Sequence, residues 1–216
     1  DLNLCDRRQR LMCIRDRDNM IDKLIFFLSI PFFIPHYLIF KLNSASYLKE
    51  DLVRWRDVFA VEGRNEIIVF FRLIILFKEY RSVFYYRLGG ISKLLQWYSP
   101  GMSALFIHAK KDGIGPGFVI QHGHSSRIEP ARVGRNLQVW QNVTIGKERS
   151  GGKRPIIGDN VRIMTNSIVF GDITIGNNVV IGAGSVVFKN IPSDCVVVGN
   201  PARIVKKEGV KTNILL

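Results

Sequence analysis

Acidic side chains are scarce in this chain: 18 Asp and Glu stand against 31 Lys and Arg in 216 residues, a formal net charge of +13. Residues 101–216 hold 15 of the basic and 7 of the acidic groups, so +8 lies in that half. The balance favours a polyanionic partner, whether nucleic acid, anionic lipid or a phosphorylated small molecule. Cysteine is rarer still. Cys5, Cys13 and Cys195 are unevenly spaced and form no C-x-x-C pair, which excludes a disulfide framework or a zinc knuckle and fits a reducing compartment. The sequence has no P-loop and no G-x-G-x-x-G after a strand, so the common phosphate cradles are missing. Only four histidines occur: His36, His108, His122 and His124. Long apolar runs are also lacking. Leu24 to Phe40, "LIFFLSIPFFIPHYLIF", is 17 residues without a charge, against the ~20 a spanning helix wants. Pro31 and Pro35 each remove a helix hydrogen bond. No small-residue cleavage site follows, so the segment does not read as a signal peptide. Three readings stay open: a helix lying in the membrane interface, a short span, or a hydrophobic helix packed on a partner subunit.

Residues 1–19 lack helical or strand periodicity and read as a non-native or disordered leader, with Met20 as a plausible start. Residues 20–43 form the apolar segment, and over 44–101 the pattern turns helical. Ser44 or Ser46 is offered as an N-cap before Leu48, Leu52 and Trp55 at i, i+4 and i+7. "NEIIVFFRLIILFKEYRSVFYYRLGG" follows, with Asn65 as a cap and Gly89-Gly90 as the stop; "ISKLLQWYSP" reads as a last short helix ending at Pro100. Arg72 sits amid apolar residues, and Arg81 and Arg87 border an aromatic face. This predicts a packed helical domain with snorkelling arginines, or else a basic aromatic surface resting on anionic membrane.

What the second half has in plenty is a repeat. Ile157, Ile163, Val169, Ile175, Ile181 and Val187 fall six residues apart. The ladder extends upstream through Ile114, Ile120, Val133, Val139 and Ile145, with thirteen residues from Ile120 to Val133 and twelve from Ile145 to Ile157. One extra residue and one hexad replaced by the loop "GKERSGGKRPI" account for these gaps. Gly115, Gly134, Gly146, Gly158, Gly176 and Gly182 follow the aliphatic residues, as expected where a short strand turns a corner into left-handed backbone. Three such strands make one turn of a triangular prism, and stacked turns bury the aliphatic column as a continuous core.

With this ladder, and with "IGPGFVIQHG", "QNVTIG", "GGKRPIIGDNVRI" and the closing "VVVGNPARIV", the sequence resembles the hexapeptide-repeat acyltransferases over residues 102–206. It is most similar to serine O-acetyltransferases and their relatives in surface-polysaccharide pathways. The helical half with "EYRSVFYYRLGG" is similar to that branch too. The resemblance implies an α+β fold: a helical N-terminal region, then a left-handed parallel β-helix over 102–206 and a C-terminal tail over 207–216. It implies acetyl-CoA as co-substrate, no metal, and a homotrimer. A zinc triad of His108, His122 and His124 has the wrong spacing for the prism-shaped carbonic anhydrases.

If Ile120 points inward, His122 sits at a corner and points out, and "IQHG" matches the family's catalytic histidine. An acceptor hydroxyl attacks a thioester poorly until a base removes its proton, a task suited to an imidazole. His124 is the second candidate base; in the hexad register it falls two residues before the next inward position. The family's aspartate about fifteen residues upstream lands on Ile107, its acid before the histidine is Gln121, and its second histidine corresponds to Arg154. Gln121, Lys153 and Arg154 are thus the expected acceptor region, one that keeps positive charge and loses negative charge. Gly146, Lys147, Thr165, Gly182, Ala183, Lys189 and Arg203 are expected along the donor groove, because coenzyme A needs cations and open backbone amides. Cys195, with no histidine near it in sequence, does not read as an acyl-enzyme nucleophile. The function expected is O-acetylation of a saccharide precursor, ahead of L-serine, in the cytoplasm or at the inner face of the membrane through residues 24–40, with no nucleic acid bound. A decayed membrane-associated scaffold and a polyanion-binding module are the alternatives.

Overall fold

The computed structural model describes residues 20–43, 46–63 and 65–216. The leader 1–19 and the cap candidate Ser44 lie outside these residues. The N-terminal part is a helical layer. Helix α1 (Met20–Leu42) runs unbroken through Pro31 and Pro35, both of which sit on its exposed side. Its inner side carries Phe33, His36 and Phe40, all buried. Helices α2 (Ser46–Phe59) and α3 (Glu66–Leu76) follow, and the Asn65 side chain caps α3 by accepting from the Ile67 N–H at 3.1 Å. Phe40 and Phe70 pack with ring centroids 4.8 Å apart and the rings tilted, so α1 shares one core with α3. Leu48, Leu52 and Trp55 are buried as their spacing predicts.

The long run after Asn65 is two helices. Phe77 is extended, with φ −114° and ψ 104°, and separates α3 from α4 (Lys78–Leu88). Its ring lies 4.9 Å from Phe59, a tertiary contact that sequence periodicity does not reveal. A 3₁₀ turn at Gly89–Ile91 and the short α5 (Ser92–Gln96) complete the layer.

His36 is sealed among these helices. The Tyr85 hydroxyl donates to the Ser99 carbonyl, so its oxygen accepts the His36 Nε2–H at 2.9 Å. Nδ1 is left facing the Tyr98 hydroxyl at 3.4 Å. Burial, and then the nearby Arg81 cation, lower the His36 pKa from 6.5 to about 4. The unfolded chain therefore takes up a proton near pH 6.5 that the folded chain refuses until about pH 4. Stability contributed by this site is complete above pH 6.5 and falls as the pH drops toward 4, by on the order of 3 kcal/mol in all. Urea melts from pH 7 to 4.5 should show this slope, and His36→Gln should flatten it. An unchanged slope in that variant removes His36 as its source.

The expected snorkelling fails for two of the three arginines. Arg72 stays at the surface and donates to the Glu62 carbonyl at 2.6 Å. Arg81 is buried and donates to Ser99 Oγ at 3.0 Å and the Pro100 carbonyl at 3.2 Å. Arg87 is buried against Asp51, with Nε 2.8 Å from Oδ2. The aromatic residues here enclose the cations instead of lifting them to solvent.

From Leu105 onward the chain forms a three-faced parallel β-helix. The first face stacks Leu105–Ile107, Ser126–Ile128, Thr144–Gly146, Ile168–Phe170 and Val186–Val187; the second stacks Arg132–Val133, Ile156–Ile157 and Thr174–Ile175. The third runs from Val119–Ile120 through Gln138–Val139, Arg162–Ile163 and Val180–Ile181 to Cys195–Val198. All eleven ladder aliphatics point inward, none more than 3% exposed. Ile128, Ile191 and Val197 are further inward positions, buried and in register with Ile145, Ile175 and Ile181. The expected tail is no tail: Val210–Leu215 pairs antiparallel with Arg203–Lys207, which pairs with Cys195–Val198.

The glycine reading needs correction. None of the six glycines after the aliphatics has a left-handed φ. Left-handed backbone falls instead on Asn136, Asn142, Asn160, Asn166 and Asn178, with φ between 54° and 60°, the non-glycine residue type that best tolerates it. Their side chains form ladders from coil to coil, such as Asn136 Nδ2 to Asn160 Oδ1 at 2.9 Å and Asn160 Nδ2 to Asn178 Oδ1 at 3.0 Å. Glycine is needed for closeness. A Cβ on Gly115 would stand 2.3 Å from the Gly134 carbonyl oxygen, and one on Gly158 would stand 2.9 Å from the Gly176 carbonyl carbon.

Candidate active site

His122 lies at the corner joining the third face to the first. In the lower coils this corner holds one left-handed residue, namely Asn142, Asn166 and Gly184 in turn. Backbone bonds from Gly184 N to Thr165 O, Asn166 N to Gln141 O and Asn142 N to His124 O align Ser125 with that column. His122 is therefore outside the regular corner. It sits in an expansion, since Ile120 to Ile128 spans eight residues where the ladder has six, and Ile128 to Val133 spans five. Two left-handed residues, His122 and Ser125, both with φ 53°, turn the expanded corner. The His124 N–H bonds the His122 carbonyl at 2.5 Å across Gly123, a three-residue turn that throws both imidazoles outward. Both side chains are exposed.

The thirteen-residue gap is thus two residues added and one removed, not a single insertion. The small inward residue two before Ile128 is Ser126, fully buried, and His124 does not occupy that position. Gln121 is buried beside His122, and its N–H bonds the Val139 carbonyl at 2.8 Å.

Thr165, Gly182 and Ala183 line the same corner as His122. Coils stack about 4.8 Å apart, so Thr165 lies roughly 10 Å and Ala183 roughly 14 Å below the level of Ser125. Ala183 and Gly184 are exposed. A Cβ on Gly184 would meet nothing within 4 Å, whereas one on Gly182 would stand 2.6 Å from Val198 Cγ1. Gly182 is therefore a packing residue, and Gly184 leaves the corner open.

Gly146, Lys147, Lys153 and Arg154 lie across the first face at its other corner, as the end of one strand and the loop after it. The width of that face, three extended residues, separates them from His122 by at least about 10 Å. Their charges are largely committed. Lys153 Nζ is 2.8 Å from Asp172 Oδ2, and Arg154 Nη2 is 2.7 Å from Glu129 Oε1. Arg127 Nε adds a contact of 3.5 Å to Glu129 Oε2. The hydrogen bond from Arg154 holds the Glu129 carboxyl below its ordinary range. So the expected surplus of positive charge at Lys153 and Arg154 is not found: each of these two cations has a carboxylate. Of the other expected donor-site cations, Lys189 donates to the Leu216 carbonyl at 2.8 Å and Arg203 to Asn213 Oδ1 at 3.1 Å. Lys147 and Arg149 are exposed and make no ion pair among the described residues. The loop can therefore still offer two open cations to a phosphate.

Glu129 is the residue that sequence reasoning missed. Its signal was the register: once Ile128 is inward, Glu129 is at the next corner, one coil above Gly146. A Cβ on Gly146 would be 3.9 Å from Glu129 Oε2, its nearest neighbour. Glycine there keeps space open beside the carboxylate. Among the described residues no group of three His, Cys, Asp or Glu side chains could hold a metal ion. Cys195 is buried, and burial raises its thiol pKa.

Residues 154–189 match the bacterial transferase hexapeptide (six repeats) family. A serine acetyltransferase from Synechococcus elongatus is 35% identical over 165 residues, covering 74% of this chain and 67% of that protein. One from Bacillus pumilus is 39% identical over 131 residues, covering 59% of each. The chain thus spans about two thirds or less of the length of these curated relatives. Among solved structures, the Neisseria gonorrhoeae serine acetyltransferase in complex with serine superposes with a TM-score of 0.57 at 27% identity, over 73% of this chain and 67% of that one. The shared fold is a left-handed β-helix behind a helical N-terminal region.

Proposed function

The chain belongs to the serine acetyltransferase family, hexapeptide-repeat acyltransferases that draw on acetyl-CoA, and we propose that it moves an acetyl group directly from acetyl-CoA to the hydroxyl of L-serine with His122 as general base. The observation carrying this reading is the expanded corner, which projects an imidazole from the prism on the same edge that Ala183 and Gly184 leave open three coils below. In the step, the acceptor oxygen forms a bond to the thioester carbonyl carbon while His122 takes the hydroxyl proton. The C–S bond then breaks, and the proton passes from His122 to the departing thiolate. His124 is the second candidate base. The open surface at Ala183 and Gly184 suits the elongated chain of the donor, and the exposed Lys147 and Arg149 suit its phosphates. Of the earlier candidates, Thr165 lies on the His122 corner and Gly146 at the opposite corner, where the loop carrying Lys147 and Arg149 begins.

His122 and the Glu129–Arg154 pair sit at opposite corners of one face, so a single chain cannot close a site around both. We take the wall to come from an adjacent subunit of a homotrimer, in which the His122 corner of one chain meets the Glu129 corner of its neighbour, a head-to-tail contact that closes a ring. Glu129 and Arg154 then present one carboxylate and one cation, which suits a zwitterion. This replaces the charge argument for a sugar. A saccharide acceptor retains one point in its favour: Ile107 and Gln121 stand where the resemblance expects acids. Action in the cytoplasm follows from the reducing character and the co-substrate.

Free-thiol release from acetyl-CoA decides among these readings. L-serine should stimulate release strongly, and a panel of nucleotide sugars should not. Stimulation by a sugar with indifference to serine would establish the saccharide reading. No release with any acceptor would leave a non-catalytic scaffold.

A further inference from the structure

The outward side of α1 is apolar along its whole length. Leu24, Phe27, Leu28, Phe32, Leu38 and Leu42 are between 54% and 85% exposed, and the two exposed prolines lie among them. Only 17% of the Leu24–Leu42 window is buried, so most of this apolar surface is covered by nothing among the described residues. Contiguous patches of this kind mark interaction sites. A second exposed group lies in the same helical layer. Ile91, Leu94 and Trp97 are 66%, 77% and 87% exposed, and the next residue, Tyr98, ties their segment to α1 through His36, with ring centroids 5.7 Å apart.

Charge identifies the occupant. No Asp or Glu occurs anywhere between residues 23 and 49, nor between 80 and 111, the two segments that carry these apolar groups. Of their basic residues, Lys49, Lys93, Lys110 and Lys111 are exposed, whereas Lys41 is paired with Glu66 and Arg81 and Arg87 are buried. An apolar stripe with aromatic residues, flanked by exposed lysines on segments that carry no acid, is complementary to an anionic lipid surface. A transmembrane course does not fit, because the opposite side of α1 is built into the body. His36 bonds Tyr85, and Phe40 packs on Phe70; inserting the helix would break both.

We propose that α1 and the Ile91–Trp97 patch seat the protein on an anionic bilayer, with the helix lying in the plane of the headgroups. This goes beyond the proposed reaction and does not depend on it. The full chain should sediment with vesicles of phosphatidylglycerol and phosphatidylcholine, and much less with phosphatidylcholine alone. The pair Leu28→Glu and Phe32→Glu, at exposed positions that carry no packing, should weaken sedimentation at least tenfold, and Trp97→Ala should weaken it less. Light scattering should give the same assembly mass for wild type and double variant. Failure of the wild type to sediment with anionic vesicles overturns the proposal. A changed assembly mass with unchanged sedimentation also overturns it, and makes the stripe an interface between copies. Resistance of the bound protein to alkaline carbonate extraction overturns it in favour of a span.

Discussion

His122→Ala should lower kcat by about 10²–10⁴-fold while the KM for acetyl-CoA stays within a few-fold. A general base acts on the proton in flight, so its loss is felt in the transition state and not in donor binding. The structure supplies a control that separates chemistry from folding. His122 has φ 53°, and alanine tolerates left-handed backbone poorly. Asparagine holds that conformation at the same corner in the coils below, at Asn142 and Asn166. His122→Asn should therefore keep the expanded corner, melt like wild type and be as inactive as the alanine variant. Near-full activity in both variants would move the base to His124, whose own alanine variant should otherwise keep most turnover.

The largest expected loss of stability comes from Asp51→Ala. Asp51 Oδ2 accepts from Arg87 Nε at 2.8 Å, and Oδ1 accepts from the Gly117 and Phe118 amides at 2.7 and 2.9 Å. Arg87 in turn donates to the Ile114 and Gly115 carbonyls at 2.5 and 2.7 Å. The pair joins the helical layer to the first coil of the prism. Removing one partner of a buried pair leaves the other charge stranded, which costs about 3–5 kcal/mol, a large share of the 5–15 kcal/mol that holds a typical domain together. Urea unfolding should show the loss. Asp51→Leu combined with Arg87→Met should be less damaging than Asp51→Ala, because no charge is left unpaired. If the single variant unfolds within about 1 kcal/mol of wild type, the junction is held by Trp55, whose indole N–H donates to the Phe118 carbonyl at 2.8 Å.

The prism was legible because its signal is one-dimensional. A side chain every sixth residue reports burial directly, and each ladder aliphatic from Ile114 to Val187 is inside. The corner at His122 was only half legible. An addition of two and a loss of one look like a single insertion unless Ile128 is recognised as inward, and with that register went the correct place of His124 and the existence of Glu129. The glycines misled for a different reason: a missing Cβ answers equally to left-handed backbone and to close approach, and only coordinates tell which. Pairings across the fold were not legible at all. Asp51 with Arg87 and Lys153 with Asp172 are 36 and 19 residues apart, and nothing local records them.

A stack of parallel coils is in principle endless, since each finished turn offers a template of free amides and carbonyls for another. Here both ends are refused to newcomers. At one end Asp51, Arg87 and Trp55 occupy the polar backbone atoms of residues 114–118 that an incoming turn would have used. At the other the chain reverses, and Arg203–Lys207 and Val210–Leu215 run antiparallel, the wrong direction for a coil to continue. The protein keeps the cross-strand pairing that drives fibres and forbids propagation. Its finite length is thus built in at two places, by a salt bridge at the first turn and a hairpin at the last.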